Sequence, residues 1–114
     1  MLHTLLKDNI TLVVPDLEKL DSNVAAEFRD ALGEIVEKDR FVLLDLKNMT
    51  FMDSSGLAAI VYCFQMTSIH SRLAICGASK NVMHLFELTN MNEVVDIYAD
   101  REAALAGIDL KKPD

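Results

Sequence analysis

The chain alternates short apolar runs with longer stretches in which apolar residues recur every three or four positions. Leu2 to Leu6 and Ile10 to Val14 are two strand candidates, and Asp8-Asn9 between them is good chemistry for a tight hairpin turn. Pro15 has no backbone N–H to offer and ends the second strand's pairing. Asp21-Ser22-Asn23 supplies capping oxygens for a helix that runs to about Lys38. Val24, Phe28, Ala31, Leu32 and Ile35 fall on its apolar side, with Glu27, Asp30, Glu34 and Glu37 on its wet side. Phe41-Val42-Leu43-Leu44 is continuously apolar, which is how a strand covered on both faces reads.

A second helix is expected from about Ser55 to Ile69, followed by a buried strand at Leu73 to Cys76 that Gly77 stops. Ser79 caps a third helix carrying Val82, Leu85 and Phe86 on one face. A last strand is expected at Val94 to Tyr98, and Asp100 caps a closing helix through Leu105. The order is ββαβαβαβα. Repeated strand–helix–strand units require a mostly parallel sheet joined by right-handed crossovers, so the class is α/β. About five strands and about four helices form one domain, expected over residues 1–108, with a short tail at 109–114.

Composition narrows the function. At 114 residues, 51% hydrophobic and 25% charged, the chain can bury a core and has the size of one domain. A formal net charge of -7 argues against nucleic acid and against anionic membrane surfaces as main partners. The longest apolar run, Leu57 to Phe64, is far short of the roughly 20 residues that span a bilayer, so no membrane insertion is expected. The N-terminus does not read as a signal peptide, and Cys63 and Cys76 read as reduced, buried thiols; the expected location is cytoplasmic.

Catalytic and cofactor motifs find little support. His3, His70 and His84 are scattered, so neither a metal site nor another cofactor is expected. There is no Gly-x-Ser-x-Gly elbow and no glycine-rich phosphate loop among four glycines. Asp45 at a strand end invites comparison with aspartyl-phosphate receivers, but the opening hairpin lacks the acidic pair they need. It reads instead as an acceptor organising the loop that follows.

The informative stretch is Phe51-Met52-Asp53-Ser54-Ser55-Gly56-Leu57. Asp53, Ser54 and Ser55 can each accept hydrogen bonds from a first helical turn, and a structural cap is the simplest reading of them. Gly56 leaves room for another surface to approach the backbone. In the helix that follows, Ala58, Ala59, Tyr62, Met66 and Ile69 form a second apolar side, which either packs on neighbours or faces a partner.

This stretch, with Val42-Leu43-Leu44-Asp45-Leu46 ahead of it, resembles the signature of the STAS family, and more narrowly the bacterial anti-sigma factor antagonists. Leu20-Asp21 and Gly77-x-Ser79-x-x-Val82 with Leu85-Phe86 extend the resemblance over nearly the whole chain. Glu18 and Asn90 depart from it, standing where the family usually has glycine. The resemblance implies a non-enzymatic binding switch whose phosphoacceptor is Ser54. Asp21, Asp53, Ser54, Ser55 and Gly56 would meet the partner. That partner would be an anti-sigma factor that is itself a serine kinase with a histidine-kinase-like ATPase fold. A PPM-type phosphatase would reverse the mark; the sequence leaves a homodimer open. The alternative is a non-catalytic STAS subunit of a membrane lipid-transporter complex.

Overall fold

The computed structural model describes residues 1–67 and 71–108. β1 (Leu2–Lys7) and β2 (Ile10–Pro15) form the expected hairpin. Asp8 and Asn9 both take positive φ, at 52° and 69°, the backbone a two-residue loop needs to match the twist of its strands. β4 (Phe41–Asp45), β6 (Arg72–Cys76) and β7 (Ile97–Tyr98) complete a five-stranded sheet of order β1-β2-β4-β6-β7. Only β1 runs antiparallel to its neighbour; the other pairings are parallel. The mixed α/β class stands as expected.

Helices α1 (Ala25–Lys38), α2 (Ser54–Gln65), α3 (Lys80–Leu88) and α4 (Arg101–Gly107) pack on the sheet. The larger core joins Phe28, Leu32 and Val36 of α1 and Leu57, Ile60 and Cys63 of α2 to Val13, Val42, Leu44 and Ile75 of the sheet. On the opposite face, Ile10, Leu12, Leu43 and Cys76 pack with Ala104 of α4. β4 is buried at every position because it is covered on both sides, as its unbroken apolar run required.

Several elements differ from expectation. β3 (Lys19–Leu20) and β5 (Phe51–Met52) form a separate two-stranded parallel sheet that the sequence pattern did not show. Strand β7 covers only two residues of the expected 94–98. Met91–Glu93 coil into a 3₁₀ turn, and the N–H groups of Val94 and Val95 both bond back to the Met91 carbonyl, so they are not free for a sheet. Asn90 enters that turn at φ 59°, the left-handed backbone its amide tolerates. Helix α2 ends at Gln65, where Thr67 turns its hydroxyl back to the Phe64 carbonyl. The expected extension to Ile69, His70 and the tail at 109–114 lie outside the described residues.

Asp45, only 3% exposed, ends β4 and performs the organising role expected of it. One carboxylate oxygen accepts the N–H of Lys47 at 3.0 Å, and the other accepts Nε and Nη2 of Arg101 at 3.2 and 3.0 Å. The loop after β4 and the start of α4 are thereby tied to one buried charge, which is compensated by these donors.

Candidate functional site

Two strand-to-helix junctions lie side by side. β3 and β5 pair in parallel with Leu20 opposite Met52, which sets Asp21 beside Asp53 as the next residue on each strand. The N–H of Asp53 donates to the Leu20 carbonyl at 3.2 Å and locks the junctions together. The chain leaves one aspartate through Ser22 into α1 and the other through Ser54 into α2.

Asp53 is the N-cap of α2: its carboxylate accepts the N–H of Gly56 at 3.0 Å. Among the described residues the Ser54 hydroxyl makes no bond to Asp53, so the cap is the role the Asp53 carboxylate fills here. Ser54 is the first helical residue and is exposed. Among the described residues no acceptor takes the N–H of Ser54 or of Ser55. A group carried on the Ser54 oxygen therefore sits at the positive end of a twelve-residue helix with free donors beside it.

Asp21 behaves differently from the cap expected of it. Its carboxylate accepts the N–H of Asn23 at 3.0 Å in a tight local turn, and its carbonyl takes the N–H groups of Val24 and Ala25. Helix α1 starts only at Ala25, with Val24 as an N-cap that makes no side-chain bond. Asp21 is half-buried beside Asp53, so the structure does bring these two sequence-selected residues together.

Gly56 corrects the reason given for it. It is buried, and a Cβ there would collide with the Leu20 carbonyl and lie 2.7 Å from the Leu20 side chain. Its missing side chain serves the close seating of α2 on β3 and leaves nothing to meet an outside surface. The interior contact has no sequence signal, because β3 itself has none.

Between α1 and α2, from the start of each helix to Arg29 and Tyr62, runs a cleft of about 460 Å³, lined by Ser22, Ala25, Arg29, Ser55, Ala58 and Tyr62. Among the described residues Arg29 is its only charged side chain; its guanidinium stands 5.6 Å from the Tyr62 ring centroid and pairs with Asp30 at 3.1 Å. The second apolar side of α2 is thus divided. Ala59 is buried and Met66 lies against Gly33 of α1, while Ala58 and Tyr62 stay exposed at the cleft. Phe51, on β5 just before the site, is exposed as well.

Neither thiol belongs to this chemistry. Burial pushes the Cys63 thiol up to about 11 and the Cys76 thiol up to about 12, so both stay protonated and inert near neutral pH. No helix among the described residues is long and apolar enough to cross a membrane.

A mixed sheet with three parallel crossovers and an exposed serine at the start of its second helix defines an architecture, and comparison with known proteins makes it specific. The chain belongs to the STAS domain family, whose model matches residues 4–104. It is 31% identical over 81 residues to a protein of Listeria monocytogenes named anti-sigma-B factor antagonist, covering 69% of this chain and 71% of that one. Its fold is shared with an anti-sigma factor antagonist from Mycobacterium paratuberculosis, at TM-score 0.86, 16% identity and 95% and 92% coverage of the two chains. It is shared too with a sulfate transporter family protein from Wolinella succinogenes, at TM-score 0.75, 15% identity and 90% and 86% coverage.

Proposed function

We propose that this protein is an anti-sigma factor antagonist, a binding switch thrown by phosphorylation of Ser54. In its unphosphorylated form it captures an anti-sigma factor that is also a serine kinase with a histidine-kinase-like ATPase fold, and so releases a sigma factor. The kinase ends the contact by phosphorylating Ser54, and a PPM-type phosphatase restores it. The work is binding, and it takes place in the cytoplasm.

The observation that carries this reading is the setting of Ser54: exposed, first in its helix, with unpaired N–H groups beside it and a mostly apolar cleft running away from it. A phosphate adds about -1.5 to -2 charge. At the N-terminus of α2 that charge meets the helix dipole and free donors, so the fold tolerates it. In a closed interface the same dianion would be buried next to Asp53 and Asp21. Repulsion and lost hydration then cost several kcal/mol, or about a hundredfold or more in affinity. Phosphorylation breaks binding and spares folding. Asp21, Ser55 and the exposed residues of the cleft supply the surrounding contact, with Gly56 acting from beneath.

A second reading, a non-catalytic subunit of a membrane transporter complex, draws on the fold shared with the transporter family protein. The complete Asp53-Ser54-Ser55-Gly56 sequence favours the switch, since a purely structural subunit needs no phosphoacceptor. Paired pull-downs from native lysate, with wild type and Ser54→Asp as baits, separate the two. The switch requires a serine kinase held by wild type and lost by the aspartate form. Equal recovery of a permease and its ATPase by both baits would establish the transporter reading instead.

A further inference from the structure

β1, six residues long, is the longer edge strand of the sheet; β7, at the other edge, has two. We propose that two copies of this chain associate by antiparallel pairing of β1 with β1, forming a continuous ten-stranded sheet. The ladder with β2 runs unbroken from Leu2 opposite Pro15 to Lys7 opposite Ile10. In a two-residue hairpin the closing pair is hydrogen-bonded, and the bond from Asp16 N to the Met1 carbonyl at 2.7 Å keeps the same phase at the far end. Odd-numbered residues of β1 therefore bond inward to β2, and Leu2, Thr4 and Leu6 present their N–H and C=O groups outward.

That edge has no proline, no bulge and no acidic residue, although the chain as a whole has a net charge of -7; its one formally charged side chain, Lys7, stands at the hairpin end of the strand. Instead Leu5 is 57% and Leu6 72% exposed, one on each face of the strand. Antiparallel self-pairing through the outward groups allows few registers. Centring the two-fold axis on Thr4 places Thr4 opposite Thr4 of the second copy and Leu2 opposite Leu6 of the second copy, twice. Leu2 already packs against the main core, so each exposed Leu6 extends that core across the boundary. The same register sets Lys7 of one copy opposite Met1 of the other, on the face where Asp16 lies beside His3. The next register, centred on Leu5, shortens the overlap and opposes His3 to Lys7.

A single strand pair of this length falls in the small interface class, under about 1,200 Å², so the dimer is weak and depends on concentration. The two-fold axis stands perpendicular to the sheet. Both copies therefore carry α1 and α2 on the same side, with their Ser54 sites free at opposite ends. Such a particle presents two switch sites and gains avidity for any partner that is itself dimeric.

Sedimentation velocity on the purified protein, from about 5 to 500 µM, tests the pairing. The wild-type weight-average mass should rise towards twice the monomer value. Thr4→Pro removes an outward N–H while sparing the ladder to β2, and Leu6→Lys puts charge opposite Leu2. Both should remain monomeric throughout, with unchanged far-ultraviolet circular dichroism. Leu88→Lys, at a leucine 68% exposed on α3, should dimerise like wild type. A wild type that stays monomeric at 500 µM would overturn the proposal, as would a dimer that survives both β1 substitutions.

Discussion

The two aspartates at the neighbouring junctions show how one residue type in near-identical settings is put to different use. Asp53 reaches forward three residues to cap α2, so the helix begins at once and Ser54 emerges as its first residue. Asp21 reaches only two residues, to Asn23, and the chain makes a further turn before α1 starts at Ala25. The delay moves Ser22 off the helix and into the wall of the cleft, while Ser54 stays on the helix end where a phosphate is best accommodated. A cap at one junction and a turn at the other give a display site with a recess beside it.

The largest test of that arrangement is the glycine beneath it. Gly56→Ala drives a methyl group into the Leu20 backbone and should cost at least about 2 kcal/mol in urea unfolding, or prevent folding. Gly33→Ala is the counter-case on α1. Its new methyl meets only the flexible Met66 thioether at 3.4 Å, so the gain in helix propensity should raise stability by about 0.5–1 kcal/mol. If both substitutions proved equally harmless, close seating of α2 on β3 would not be what Gly56 provides.

Next in size is the contrast between the aspartates themselves. Asp53→Ala removes a helix cap and should cost about 1 kcal/mol, while Asp21→Ala should stay within about 0.5 kcal/mol. Chemical denaturation of the two variants side by side reads the difference. Reversal of the order would mean that the turn at Asn23, rather than the cap at Gly56, organises the junction.

The smallest effect comes from the contact between α1 and α2, where the Cys63 thiol donates to the Arg29 carbonyl at 3.5 Å. In the unfolded chain the thiols titrate near 9, whereas burial holds Cys63 to about 11 and Cys76 to about 12 in the fold. Above pH 9 the native state therefore retains protons that the unfolded state loses. This contribution to stability is complete below pH 9 and declines as pH rises towards 11–12. The urea midpoint should fall over that range, and iodoacetamide at pH 8 should label neither cysteine until the protein is unfolded. Rapid labelling of native Cys63 would contradict its burial between α1 and α2.

Much of this was legible in the sequence because long elements leave a period. The hairpin, the central strand, the existence and order of the helices and the caps at Ser79 and Asp100 follow from residue spacing, while the start of α1 and the end of α2 do not. What escaped was whatever depends on two-residue elements. Lys19–Leu20 and Phe51–Met52 are too short to show alternation, yet their pairing is what brings Asp21 to Asp53. The sequence singles out Gly56 for an approach from outside, whereas its close contact lies inward, against a strand no local pattern could reveal. Val94 was misassigned because its β-branched run reads as strand while the Met91 carbonyl draws its N–H into a turn.

The most direct measurement is phosphosite mapping by mass spectrometry on the protein recovered from its native cells, alongside Ser54→Ala and with circular dichroism of the modified form. The switch account predicts one phosphate, on Ser54, absent from the alanine variant, with the helical signal of the fold unchanged. A phosphate on Ser55 or Ser22 in the wild type, or no phosphate under any growth condition, would contradict it.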